Sequence, residues 1–115
     1  MSMVLADKKC VPCSGEIPPM ASERAEKLLE ELSEGWALQE NASKLSKTFK
    51  FKNFKRAFEF VSLIADISEE EGHHPNIYFS WGFVQLDIST HEINGLAEAD
   101  FILAAKADRA LAEMK

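Results

Sequence analysis

The chain has only two cysteines, only three histidines, no surplus of positive charge and no long unbroken apolar run. Each shortage removes a class of function. Cys10 and Cys13 form a lone C-x-x-C with no second pair and no histidine at zinc-finger spacing, so a zinc-finger framework is not expected. Pro12 lies between them and SGEIPPM follows, which is loop chemistry and not the strand-to-helix setting of a redox dithiol. Reduced bystander thiols are the expectation. Thirteen Lys and Arg against nineteen Asp and Glu leave a formal charge of −6, whose field repels phosphate backbones and anionic lipid. Neither nucleic-acid nor membrane-surface binding is expected. Charges interrupt the longest apolar stretches, and MSMVLADKKC lacks the basic and then apolar order of a secretory leader, so a cytoplasmic location is expected.

What is present is an ordinary globular composition. At 115 residues and 46% hydrophobic, the chain suits one domain with a real core and is too short for two. Residues 1–20 hold three of the four prolines and little periodicity, and so read as an extended N-terminal arm before a domain at 21–115.

Within that domain, Ser22 is the expected N-cap of a first helix carrying Ala25, Leu28, Leu29 and Leu32, stopped by the turn at Ser33 to Gly35. Trp36 to Gln39 and Leu45 to Phe51 read as strands, the second with Leu45, Phe49 and Phe51 on one side and Lys47 breaking the row. Asn53 caps a second helix running to about Glu70. At the α-helical turn its apolar residues, Phe58, Phe60 and Leu63 among them, cover roughly 220° of arc, too wide for one layer of core. The surplus should meet another helix, within the domain or across a subunit boundary. Ile77 to Ser80 and Phe83 to Thr90 read as strands joined at Trp81-Gly82, and a third helix spans about Ala97 to Glu113. Asp100 falls in the apolar stripe of Leu96, Leu103, Ala107 and Leu111, and a carboxylate there needs a reason. The order α-β-β-α-β-β-α predicts an α+β domain: a four-stranded antiparallel sheet with helices packed on one face.

Residues 69–75 read EEEGHHP, which sets two of the three histidines where Gly72 ends a helix and Pro75 forces His74 out of helical geometry. His91 shares the polar parity of the last strand and falls at its end or just past it, in HEING. Imidazole can donate or accept a proton near neutrality, so three histidines meeting at strand ends would make an acid/base site without a cofactor. A zinc site from the same residues is chemically allowed, but it lacks the i, i+4 pairing on a helix that commonly positions such ligands. Surface or packing roles remain the bland alternative.

Glu69, His73-His74-Pro75, Trp81, His91 and Asp100, at these spacings, together resemble the signature of the pterin-4a-carbinolamine dehydratase family. The stretches CVPCSGEIPPM, FKFKNFKRAFEFV and GHHPNIYFSWGFVQLDISTHEINGLAEADFILAAK resemble it too, so the likeness covers nearly the whole domain. The resemblance implies a lyase that eliminates water from 4a-hydroxytetrahydrobiopterin to give quinonoid dihydrobiopterin in tetrahydrobiopterin recycling, with no metal and no organic cofactor. It implies catalytic roles for His73, His74 and His91, with His73 and His91 moving protons and the acid and base unassigned. Glu69, Gly72, Pro75, Ser89, Thr90, Glu92 and Asp100 would bind the pterin or support the histidines. Of these, Glu69 would orient a histidine, Ser89 and Thr90 would line the pocket, and Asp100 would hold His91 or touch substrate. It also implies a homodimer or homotetramer. As an alternative function, it implies an interaction module serving as dimerisation cofactor of a transcription factor, with a nuclear location besides the cytoplasm.

Overall fold

A computed structural model describes residues 5–10 and 18–114, the side chain of Glu92 excepted. Seven elements follow in chain order: α1 (Ser22–Leu29), β1 (Ala37–Gln39), β2 (Lys44–Lys50), α2 (Phe54–Glu71), β3 (Asn76–Ser80), β4 (Phe83–Ile88) and α3 (Glu98–Glu113). Two 3-10 turns, at Leu5–Asp7 and His91–Ile93, complete the order. The strands form one antiparallel sheet in the order β1-β2-β4-β3, which is the α+β architecture expected. Among the described residues no helix is long and apolar enough to cross a membrane.

Local signals account for both ends of α2. Asn53 caps α2 by accepting the Arg56 amide at 2.9 Å, and Gly72 closes it in the left-handed region at φ 67°, where a side chain would be strained. Ser22 is not the cap of α1. It is the first helical residue after an extended Ala21, and its hydroxyl turns to Glu23. The last strand ends at Ile88, not Thr90, because residues 89 and 90 leave the ladder to enter the second 3-10 turn.

Register sorts the side chains. Leu45 faces Ile88, Phe49 faces Val84, and Ile77 faces Leu86, so the helix-facing side of the sheet is apolar. Lys47 points to that same side, and its ammonium meets Asp108 of α3 at 3.0 Å, while the Trp36 indole N–H donates to the same carboxylate at 3.0 Å. The lysine also lies over the Phe49 ring, 4.7 Å from its centroid. Its break in the apolar row is thus compensated from an element sixty residues away.

The opposite side of the sheet carries Ser46, Thr48, Gln85 and Asp87. Asp87 is only 6% exposed and accepts hydrogen bonds from Ser46 and Gln85 beside the Lys44 ammonium. Burial alone would raise this carboxyl. Hydrogen bonds from Ser46 and Gln85, with the charge of Lys44, outweigh burial and hold it below the ordinary carboxylate range.

On the helix side, α2 lies across β3 and β4 and against α3. Ala57, Phe60 and Ile64 point into the core, and Phe60 packs on the Phe49 and Phe51 rings with centroids at 4.6 and 5.4 Å. The wide apolar arc is therefore shared. Part of it meets the sheet and α3, while Phe54, Phe58 and Leu63 face outward. Within the segment read as an extended arm, Leu5–Asp7 forms a 3-10 turn whose Leu5 is buried with the core, and this turn docks on α3. Lys8 pairs with Glu98 at 3.0 Å, and Lys106 donates to the Ala6 carbonyl at 2.9 Å.

Candidate active site

The EEEGHHP stretch is the exit of α2. Gly72 turns the chain, the His73 amide donates back to the Ser68 carbonyl at 3.2 Å, and Pro75 delivers the chain into β3. The two histidines then leave in different directions. The His73 side chain is 16% exposed and reaches inward, whereas that of His74 is 59% exposed.

His73 Nε2 lies 2.6 Å from Asp100 Oδ1. Asp100 is the third residue of α3 and is fully buried, which supplies the reason its place in an apolar stripe demanded. Its other oxygen accepts the Thr90 hydroxyl at 2.7 Å and the Ala97 amide at 2.8 Å. This amide contact is one half of a capping box; the other half is missing, since alanine has no side-chain oxygen to accept an amide of the first turn. Three donors around one carboxylate offset much of the cost of burying it. Facing a carboxylate, His73 Nε2 serves as the donor of this pair.

Thr90 is the next link. Its backbone forms a two-way bridge with Gly95, Thr90 N–H to Gly95 O at 2.9 Å and Gly95 N–H to Thr90 O at 3.4 Å, pinching residues 91–94 into a loop. His91 opens the 3-10 turn of that loop and is exposed. One buried carboxylate thus joins the histidine junction at 73 to the residue beside His91. The histidine that Asp100 holds is His73, where the sequence suggests His91. The Thr90 hydroxyl is spent on Asp100 and is buried.

Glu69 accepts from His74 Nε2 at 2.6 Å, and both side chains are well exposed, so this pair orients His74 while adding little to stability. Ser89 and Pro75 are half-buried beside the histidine positions, and Gly72 is exposed with no atom within 4 Å of where a side chain would start. The side chain of Glu92 lies outside the described residues, as does all of Cys13. Among the described residues, no three His, Cys, Asp or Glu side chains form a group that could hold a metal ion.

One neighbour was not anticipated. Glu71, the last residue of α2, turns inward to accept the Cys10 amide at 2.9 Å and sits 3.5 Å from the Lys106 ammonium. In the sequence it is one of three consecutive acids at a helix end, and nothing local separates it from the exposed Glu69 and Glu70.

The profile of the pterin 4 alpha carbinolamine dehydratase family matches residues 18–110. A protein of Methylococcus capsulatus named "Putative pterin-4-alpha-carbinolamine dehydratase" is 48% identical over 109 residues, 95% of either chain. A Rickettsia canadensis protein of the same name is 50% identical over 103 residues, covering 90% of this chain and 94% of that one. The crystal structure of a transcriptional coactivator/pterin dehydratase from Brucella melitensis superposes with a TM-score of 0.75 at 28% identity, over 80% of this chain and 97% of the other. A pterin dehydratase-like protein described as a RuBisCO assembly factor in the alpha-carboxysome superposes with a TM-score of 0.58 at 30% identity, over 66% and 88%. The match runs from the entry to α1 to the last turns of α3 and takes in every histidine, so the chain belongs to the pterin 4 alpha carbinolamine dehydratase family.

Proposed function

We propose that the protein is a dehydratase that eliminates water from 4a-hydroxytetrahydrobiopterin, giving quinonoid dihydrobiopterin, by histidine acid/base catalysis. The observation that carries this reading is the buried link His73–Asp100–Thr90, which ties two histidine-bearing segments to one carboxylate. The chemistry requires that the hydroxyl on C4a leave as water after gaining a proton, while the N5 proton is removed and a C4a–N5 double bond forms. Two groups able to carry protons near neutrality suffice. His73, with Nε2 committed to Asp100, presents Nδ1 as one of them, and His91, exposed on its pinched loop, is the other. His74, oriented by Glu69, borders the same junction. Ser89, Pro75 and Gly72 contribute shape beside these histidines.

The test is the decay of the 4a-carbinolamine with purified protein. Wild type should accelerate it over buffer, and His73→Ala and His91→Ala should each lose roughly 10²–10⁴ of that acceleration, the usual worth of a positioned acid or base. A rate equal to buffer with wild type would reject the reading.

A second reading, as an interaction module, rests on the outward face of α2. Phe58 and Leu63 are large, apolar and exposed there, and with Glu59 and Ser62 they line an open depression of about 280 Å³. Such a patch suits a second copy of the chain, as in a homodimer or homotetramer, or a helical segment of a transcription-factor partner. The coactivator named for the Brucella protein and the assembly factor named for the carboxysome protein support a binding role on this scaffold.

A further inference from the structure

We propose that Pro19 and Met20 are positioning residues for His91, acting through Gly95 and Leu96; this rests on the dehydratase reading above. The loop that carries His91 is held at one end by Thr90 on Asp100. Its other end is held by the chain that precedes α1. The Met20 amide donates to the Leu96 carbonyl at 2.8 Å, and Pro19 packs closely on Gly95. A Cβ added at 95 would stand 2.6 Å from Pro19 Cβ, closer than real Cβ contacts come, and 3.3 Å from its Cγ. Gly95 is not among the residues of positive φ, so glycine is required here by the close approach of proline and not by backbone conformation.

The proline ring is stiff, with φ fixed, and makes a firm wall. Gly95 in turn exchanges both hydrogen bonds with Thr90, the residue before His91. Any displacement of 95 therefore passes directly to the start of the turn that aims the imidazole. A shift of about 1 Å in a reacting group can cost on the order of 100-fold in rate.

The experiment is a double-mutant cycle on the full chain, read by carbinolamine decay at saturating pterin and by the ring resonances of the three histidines, that of His91 being assigned from His91→Gln. Gly95→Ala should lower the rate roughly tenfold or more and shift the His91 ring resonance. Pro19→Gly removes the wall and should lower the rate a few-fold, and adding Gly95→Ala to it should cost little more, so the two changes are strongly non-additive. Should Gly95→Ala fail to fold, Pro19→Gly alone must still move the His91 resonance. The proposal is overturned if Gly95→Ala lowers only the melting temperature, with rate and His91 resonance at wild-type values, or if the two costs simply add. A wild type no faster than buffer would sink the dehydratase reading alone, because the resonance arm still decides whether Pro19 and Gly95 set the place of His91.

Discussion

Asp87 and Asp100 are both carboxylates sealed from water, and they answer to different needs. Asp100 collects donors from three segments and anchors the His73 ring through Nε2. Asp87 is braced on the open side of the sheet by Ser46, Gln85 and Lys44. Its carboxyl titrates below the ordinary value of 3.8, so its ionised form favours the folded state. That contribution is complete above the unfolded value and is lost as pH falls through the lower, folded one. Asp87→Asn should therefore cost roughly 1.5–3 kcal/mol at pH 7 by denaturant titration, the scale of hydrogen bonds to a charged acceptor. The gap from wild type should close as the pH is taken below about 4; a gap independent of pH would show that the charge is not the source. The misplacement of Asp100 is legible because Leu96, Leu103, Ala107 and Leu111 recur around it at helical spacing in the sequence. Its partner is not, since no periodicity relates position 73 to position 100.

Element by element, helix existence and type were legible from spacing, and so were the α2 cap at Asn53 and its end at Gly72. Within α2, the wheel placed Phe58 and Phe60 in a single apolar arc. The structure divides them: Phe60 is 0% exposed and Phe58 is 56% exposed. An angle on a wheel says which residues can share a face, but the depth to which the sheet and α3 reach around the helix is a tertiary fact. Phe60 is thus a core residue and no probe of association. Phe60→Ala should cost about 3–5 kcal/mol in urea unfolding, the usual range for a buried phenylalanine. Phe58→Asp should leave folding nearly unchanged and lower the mass seen by light scattering if the outward face joins subunits. A mass equal to wild type would assign that face to another partner.

For the chain taken together, the links that tie His73 and Thr90, the residue before His91, to one carboxylate come from contacts between distant segments, and local pattern is silent about those. Lys106 with Glu71 and Pro19 with Gly95 are of the same kind. The acid/base reading makes a further demand: a chelator added to the decay assay should leave the rate unchanged, whereas loss of rate restored by a divalent metal would replace imidazole catalysis with metal chemistry.

The pairing of Lys47 with Asp108 has a consequence for how the sheet finds its alignment. Side chains alternate along a strand, so sliding β2 by a single position against β4 would swing the ammonium out to solvent and leave the Asp108 carboxylate and the Trp36 indole without their cation. A slide of two would strand the charge among Leu45 and Phe49 neighbours with nothing to neutralise it. The lysine thereby acts as a key cut for one alignment, penalising mispaired sheets more than it strengthens the correct one.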